Sequence, residues 1–114
     1  MSPGWAIPPD LRANWTLLKG ASTAMLPAAL SKSGPIDVFL HDSEHTTKTM
    51  YEELRLGWNA LRPGGLLICD NFDMSPAMAD LAAHKRCPFV VFSPCDHDYL
   101  ERVNLAIAVK GHEP

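Results

Sequence analysis

Residues 36 to 71 read IDVFLHDSEHTTKTMYEELRLGWNALRPGGLLICDN, and this stretch decides the fold. It contains two apolar runs, IDVFLH and LLIC, which end at Asp42 and at Asp70-Asn71. Each run is apolar at nearly every position and does not alternate with polar residues. This pattern predicts strands that are buried on both faces, as in parallel sheets.

The segment between the two predicted strands has the apolar spacing of an amphipathic helix. Its apolar residues lie four, four and three positions apart: Met50, Leu54, Trp58 and Leu61. This spacing places them on one face of a helix from about residue 47 to residue 61. The helix begins at Thr46, Thr47 or Thr49 and stops at the sequence RPGG. A helix that joins two neighbouring strands makes them parallel, so both strands end at the same edge of the sheet.

The part of the chain before this stretch predicts an irregular lead-in over residues 1–14, followed by a single domain over residues 15–114. Residues 15–20, WTLLKG, form an apolar run closed by a glycine and are a candidate strand. The sequence TAMLPAALSKSG then predicts a short helix with Pro27 in its first turn, where the missing N–H costs least.

The part of the chain after this stretch predicts one more helix and two more strands. Ser75-Pro76 has the form of an N-cap followed by proline at the first helical position, so a helix should run from there to Lys85-Arg86. PFVVFS and VNLAIAVK predict an antiparallel strand pair, because their connection is short. Within that connection, Cys95–Asp98 is read as turn residues and not as a metal site. Strands alternating with helices predict an α/β domain with a mostly parallel sheet and an antiparallel end.

Composition and charge exclude several classes of function. The chain has 114 residues, of which 46% are hydrophobic and 20% charged, a globular and not a disordered composition. The formal net charge is −3 without a basic block, so nucleic acid is not expected as a partner. No apolar run approaches the roughly 20 residues of a membrane span, and the opening residues lack the pattern of a signal peptide.

Cysteine usage indicates a reduced, cytoplasmic protein. The three cysteines are Cys69, Cys87 and Cys95, an odd number at wide spacing. This spacing argues against a disulfide framework and against a paired Cys-x-x-Cys zinc site. Cys69 is therefore expected to be a small core residue and not a reactive thiol.

Acidic residues follow both strands that flank the predicted crossover helix. Neighbouring parallel strands lie about 4.8 Å apart, so Asp42 and Asp70-Asn71 should meet at the carboxyl edge of the sheet, where ligands of open α/β sheets bind. Their oxygens are the ligands that Mg²⁺ prefers. Asp and Asn also cap the helices that follow strands, so the residues alone leave both interpretations open. Ser43 and Glu44 are expected in a solvated loop, and Glu52, Glu53 and Arg55 on a solvated helix face.

At these residues the chain resembles a class I S-adenosylmethionine-dependent methyltransferase. It is similar to the subgroup whose fourth strand ends in His-Asp-Ser-x-His, which reads here His41-Asp42-Ser43-Glu44-His45. Residues 61–71, LRPGGLLICDN, resemble the family's Leu-Arg-Pro-Gly-Gly turn, fifth strand and acidic pair. The resemblance covers about residues 15 to 110, with WTLLKG as the third strand. It implies the C-terminal half of a Rossmann-like methyltransferase sheet, mostly parallel with an antiparallel C-terminal strand pair.

The resemblance also implies a site and a reaction. In metal-dependent O-methyltransferases of this fold, a cation is held at the positions of Asp42, Asp70 and Asn71. The implied cofactors are S-adenosylmethionine and Mg²⁺ or another divalent cation, and the implied reaction is O-methylation of a small molecule. His45 is implied as a general base or as a residue that orients the acceptor hydroxyl, although a histidine that caps the helix is an equal alternative.

The chain departs from the family pattern at the cofactor site. Its seven glycines never form Gly-x-Gly-x-x-Gly, and the first two strand–helix units are lacking. The inner edge of strand 36–42 is therefore expected to be bare, and a bare apolar edge invites pairing with another chain. A third strand that moves in beside it, a homo-oligomer or a missing N-terminal half would cover it. The alternative function is a non-catalytic methyltransferase remnant that acts as an interaction or oligomerisation module.

Overall fold

The computed structural model describes residues 1–93 and 104–112. Its helices, in chain order, are a 3-10 helix Pro9–Asn14, α1 Ser22–Ser33, α2 Thr47–Ala60, a 3-10 helix Phe72–Met74 and α3 Ala77–His84. Its strands are β1 Ile36–His41, β2 Leu61–Cys69, β3 Phe89–Phe92 and β4 Leu105–Val109. The turn expected at Cys95–Asp98 lies outside the described residues.

The four strands form one mixed sheet in the order β1-β2-β4-β3. β1 and β2 pair in parallel on either side of the crossover helix α2, as expected. β4 pairs antiparallel with both β2 and β3. The α/β class and the antiparallel C-terminal pair are therefore confirmed, and the single parallel pairing is the one that carries the acidic residues.

The prediction of a strand at Trp15–Gly20 is wrong. These residues have no regular secondary structure and are exposed, and the sheet ends at β1 on that side. A strand needs a neighbour to satisfy its backbone N–H and C=O groups. In the described chain no strand stands between this segment and β1, so the segment joins no sheet and stays exposed.

The helix α1 begins earlier than its sequence suggested. It starts at Ser22, so Pro27 lies inside the helix and not in its first turn. The carbonyl of Ala21 accepts hydrogen bonds from the N–H groups of Ala24 and Met25 at 3.0 Å, which starts the helix upstream of the proline. Pro27 consequently costs α1 one internal hydrogen bond.

The helix α2 has the expected extent and buried stripe. Thr46 is its N-cap, and the Thr46 side chain accepts a hydrogen bond from the N–H of Thr49. The four stripe residues are all buried: Met50, Leu54, Trp58 and Leu61. Gly57 lets the helix approach β1 closely, since a Cβ added there would lie 2.3 Å from the ring of Phe39.

The Pro-Gly-Gly sequence forms an irregularity inside β2 and does not separate the helix from the strand. Ile36 pairs with Leu61 but Val38 pairs with Leu66, so β2 carries extra residues at this point. Gly64 has a φ of +82°, which favours glycine. A Cβ on Gly65 would lie 3.0 Å from the carbonyl oxygen of Asp37, so this bulge also requires the second glycine.

The helix α3 begins one residue later than expected. The Ser75 hydroxyl accepts a hydrogen bond from the N–H of Ala77 at 3.0 Å, which is the expected capping contact. Pro76 occupies the cap position, and the helix ends at His84, just before Lys85-Arg86.

The two faces of the sheet differ sharply in burial. α2 and α3 contribute Met50, Leu54 and Met78 to a core that packs on one face, to which the sheet contributes Leu67 and Ala108. The opposite face, here called the open face, carries the other alternate positions of the strands: Val38, Leu40, Leu66, Ile68, Val90, Phe92, Leu105, Ile107 and Val109. Five of these are exposed, and Val38 and Leu40 are 51% and 56% exposed. The expectation that strand 36–42 is buried on both faces is therefore wrong, because helices cover only one face.

Within residues 1–93 and 104–112, no helix combines the length and the apolar character that crossing a bilayer requires.

Candidate metal centre

The two candidate acidic ligands lie side by side at the carboxyl edge of the sheet. Asp42 directly follows β1, Asp70 directly follows β2, and the parallel register pairs His41 with Cys69. The N–H of Asp70 donates a hydrogen bond of 2.9 Å to the carbonyl of His41, which extends the pairing by one residue. The topology thus brings together two carboxylates that are 28 positions apart in the sequence, and their distance follows from strand pairing alone.

His45 completes a three-residue cluster with these carboxylates. Its Nε2 lies 3.8 Å from Asp42 Oδ1 and 3.9 Å from Asp70 Oδ2, and one ligand atom from each residue lies within 4.8 Å of the others. The Nε2 atom is buried without a hydrogen-bond partner in the described structure. These separations are too long for hydrogen bonds and suit three ligands around one cation. An unpartnered buried nitrogen facing two carboxylates therefore fits a divalent cation at this point.

The electrostatics of the cluster favour the addition of positive charge. Burial raises the pKa of the Asp70 carboxyl, and hydrogen bonding to Asp42 and repulsion from its charge raise it further. The N–H of Asn71 and the ring of His45 lower this pKa in part. Two adjacent carboxylates compete for a proton when no cation lies between them. A bound cation would relieve this repulsion.

Asn71 lies next to the cluster, and its role as a ligand stays a prediction. It has a φ of +46° and a ψ of +45°, in the left-handed region that asparagine tolerates better than most residues. Its carbonyl accepts a hydrogen bond of 2.9 Å from the N–H of Met74, which starts the 3-10 helix. Ligation by Asp42 and Asp70 and base catalysis by His45 likewise stay predictions.

A buried polar network lies directly beneath the cluster. Glu53 Oε2 lies 2.7 Å from His41 Nδ1 and accepts a hydrogen bond of 2.7 Å from the Ser43 hydroxyl. Burial alone would raise the pKa of the Glu53 carboxyl, but hydrogen bonds from Ser22, Ser43 and His41 and the charge of His41 lower it below its usual value. The carboxyl is therefore held in its charged form inside the protein.

The expectation that Glu53 is solvated is wrong, whereas Ser43 is half-buried. Glu53 is 3% exposed because it faces the sheet from α2, together with Thr49 and Gly57. These three buried residues lie four positions apart and form a second row beside the apolar stripe. The spacing of four in the sequence indicates this second buried row. Residue type argues against it, because glutamate and threonine are usually exposed.

The thiol next to Asp70 is inert. Burial, and secondarily the charge of Asp70, raise the pKa of Cys69 to about 12. Cys69 is fully buried, so it is a core residue as expected. It contributes packing to the wall behind the cluster and no nucleophile to the site.

Comparison with known proteins identifies the family of the chain. A family model described as a methyltransferase domain matches residues 4–72, which is more than half of the chain and includes Asp42, His45 and Asp70. No curated protein matches the sequence significantly.

Two solved structures share the fold. One is from Klebsiella pneumoniae, and its assignment as an O-methyltransferase is itself provisional; it matches with a TM-score of 0.61 and 16% identity over 85% of this chain and 50% of that chain. The other is precorrin-6y C5,15-methyltransferase from Geobacter metallireducens GS-15, with a TM-score of 0.55 and 15% identity over 90% of this chain and 58% of that chain. The chain thus spans between half and three-fifths of the length of these structures. The partial methyltransferase fold and the resemblance expected from the sequence are confirmed, and this chain belongs to the methyltransferase-domain family.

Proposed function

We propose that the protein transfers a methyl group from S-adenosylmethionine to an oxygen atom of a small molecule, with the help of a divalent cation. The cluster of Asp42, His45 and Asp70 carries this proposal, because it lies at the carboxyl edge of the sheet in a chain of a methyltransferase family. Membership in the family supports S-adenosylmethionine as the cofactor, and the donor set supports the cation. Two carboxylates suit Mg²⁺ and Mn²⁺, whereas the imidazole nitrogen shifts the preference towards Fe²⁺, Ni²⁺ or Zn²⁺.

In the proposed reaction, Asp42 and Asp70 hold the cation, and Asn71 or His45 completes the protein ligands. When bound, the cation supplies a positive charge that makes the acceptor hydroxyl easier to deprotonate. The residues that hold the cation thereby orient the acceptor oxygen in line with the methyl group of the cofactor. The bond from the sulfonium sulfur to the methyl carbon breaks, the bond from oxygen to that carbon forms, and the hydroxyl proton leaves to a base. S-adenosylhomocysteine is the other product.

His45 has two roles open to it in this proposal, and they make different predictions. As a ligand, its Nε2 would join the carboxylates on the cation. As a general base, its imidazole would accept the hydroxyl proton. His45→Ala should weaken cation binding in the first case. In the second case it should lower methyl transfer and leave cation affinity unchanged.

Activity is proposed for the protein together with a segment that completes the cofactor site. The glycine-rich cofactor loop expected of the family is absent from the sequence, and the chain spans about half of the Klebsiella structure. A missing N-terminal half would supply that loop. We also propose a cytoplasmic location, since Cys69 and Cys87 are free.

Titration of this chain with Mn²⁺, followed by calorimetry and by electron paramagnetic resonance, tests the cation site directly. Asp42→Asn and Asp70→Asn should each lower Mn²⁺ affinity by more than about 100-fold, because loss of even an outer-shell partner costs about 10–100-fold. Asp37→Asn is the matched control, since it removes the same charge near the opposite end of the same strand. Wild-type chain that binds no Mn²⁺, or variants that bind it normally, would contradict the proposal.

The open face favours a second candidate function, an oligomerisation module without catalysis. All of its side chains are apolar, and exposed apolar patches of several hundred Å² mark interaction sites. Since the face carries no charge, two copies of this chain can pack against each other without electrostatic repulsion. Titration with S-adenosylmethionine separates the two functions. Binding in the micromolar range by this chain supports the enzyme, and no binding at millimolar cofactor even when the chain carries the segment that completes the cofactor site favours the module.

A further inference from the structure

We infer that Glu53 is a positioning residue that holds the loop carrying Asp42 and His45 in the geometry a cation requires. This inference rests on the proposed cation site and adds to it a residue that touches neither cation nor substrate. Glu53 lies in the middle of α2, an element that carries none of the candidate ligands, and it is buried against His41 at the end of β1.

Glu53 contacts the residues on both sides of Asp42. His41 precedes Asp42 and Ser43 follows it, and both lie 2.7 Å from the same carboxylate oxygen, Glu53 Oε2. Two short contacts to one buried atom fix the backbone before and after Asp42. The direction in which the Asp42 carboxylate leaves the chain is therefore set from beneath, while that carboxylate itself stays exposed and free to bind.

The same contact positions the other two members of the cluster through His41. The ring of His41 packs edge-on against the ring of His45, with centroids 5.5 Å apart and planes at 88°. The carbonyl of His41 accepts the hydrogen bond from the N–H of Asp70. His41 is 1% exposed, and Glu53 is the side chain that hydrogen-bonds its ring. Asp42, His45 and Asp70 are thus all located relative to a histidine that Glu53 holds.

A carboxylate at this position destabilises the fold relative to an apolar side chain if its only role is packing. Removing a charged group from water costs several kcal/mol unless hydrogen bonds compensate. Leucine or methionine would fill the same space beside Thr49 and Gly57 at no such cost. Metal sites commonly orient their ligands through hydrogen-bonded partners outside the ligand shell, and Glu53 would act in this way through His41 and Ser43.

The test compares Glu53→Ala and Glu53→Gln with the control Glu52→Gln, which changes a partly exposed glutamate on the same helix. Circular dichroism first establishes the temperature range in which each variant is folded, and Mn²⁺ affinity is measured in that range. We expect about a 10–100-fold loss of affinity in Glu53→Ala. Glu53→Gln keeps an oxygen that accepts from Ser43, so it should recover part of the loss, and Glu52→Gln should bind as the wild type does.

A second measurement needs no cation and keeps the inference testable if Glu53→Ala does not fold. The ring signals of His41 and His45 and the amide exchange of Ser43 are recorded by NMR in the metal-free wild type, in Glu53→Gln and in Ser43→Ala. The inference requires shifted His45 signals and faster exchange of the Ser43 amide in Glu53→Gln. Ser43→Ala should shift the His45 signals less, because it leaves the contact between Glu53 and His41 in place.

The outcomes distinguish the two proposals. Wild-type affinity for Mn²⁺ in folded Glu53→Ala, or unchanged His45 signals in Glu53→Gln, would overturn the positioning role. If the wild type binds no Mn²⁺ but Glu53→Gln shifts the His45 signals, the cation site fails and the positioning of the loop by Glu53 stands.

Discussion

At the scale of single residues, the Asp70 carboxyl lies in an environment that disfavours its own charge. Burial and the neighbouring Asp42 raise its pKa, and His45, whose Nε2 lies 3.9 Å from Asp70 Oδ2, lowers this pKa only in part. Active sites commonly contain residues that lower the stability of the fold because function requires their charge. The repulsion is therefore the local cost of keeping two carboxylates adjacent.

Asp70→Asn should raise the thermal stability of the metal-free chain while it lowers the cation affinity. A carboxyl with a raised folded-state pKa contributes stability that is fully present below its unfolded pKa, near 3.9, and is lost as the pH rises through the folded pKa. The gain from Asp70→Asn should therefore be largest at neutral pH and should disappear below about pH 4.

Thermal melts of the wild type and Asp70→Asn at a series of pH values, without metal, check this prediction. Asp73→Asn is the control, since this nearby aspartate lies in the 3-10 helix after the cluster. Equal melting temperatures of the wild type and Asp70→Asn at neutral pH would show that the two carboxylates do not repel each other in the folded chain.

At the scale of elements, the contact between α2 and β1 depends on the absence of one side chain. Gly57 faces Phe39 so closely that a Cβ would lie 2.3 Å from a ring carbon, well inside van der Waals contact. Since α2 carries Glu53 and β1 ends at His41, this packing distance also sets how Glu53 reaches the loop.

Gly57→Ala should lower the free energy of unfolding by about 1–2 kcal/mol. Overpacking of a core costs about 1–3 kcal/mol, and the higher helix propensity of alanine returns up to about 1 kcal/mol. Urea denaturation measures the change. Combining Gly57→Ala with Phe39→Leu should restore part of the loss, whereas Gly111→Ala, where a Cβ meets open space, should change little. A Gly57→Ala chain as stable as the wild type would mean that the ring of Phe39 moves aside at no cost.

At the scale of the whole molecule, the sheet is covered on one side only. Sheets with parallel strands are almost always buried on both faces, whereas the open face here exposes Leu40 and Phe92 at 56% and 54%. The outer edge of β1 is also unpaired in the described structure. From the face and the edge together we predict that further polypeptide covers this side of the sheet.

Gel filtration with light scattering should therefore show a dimer or larger assembly of the isolated chain. Leu40→Lys combined with Val90→Lys should shift it towards the monomer, because both substitutions place charge on the open face. Leu11→Lys, at an exposed apolar residue away from the sheet, is the control. A soluble monomer at all concentrations would contradict self-association and leave a missing N-terminal half as the cover.

The fold was predictable where local pattern and tertiary structure agree. The stripe of α2, the two strands ending at Asp42 and Asp70, and the antiparallel C-terminal pair all follow from periodicities of one or two elements. The predicted strand at Trp15–Gly20 failed because a strand depends on a partner, which no local pattern reports. The solvated face predicted around Glu53 failed because residue type suggested exposure, whereas the row formed with Thr49 and Gly57 is buried.

The sequence by itself determined the crossover from β1 to β2 and hence the adjacency of Asp42 and Asp70, since a helical connection makes neighbouring strands parallel. Only the tertiary structure decided that His45 turns towards both carboxylates, that Glu53 supports them from beneath and that one face of the sheet is bare. These features depend on which side chains meet across elements and on what covers a sheet. Periodicity along a chain contains no information about either.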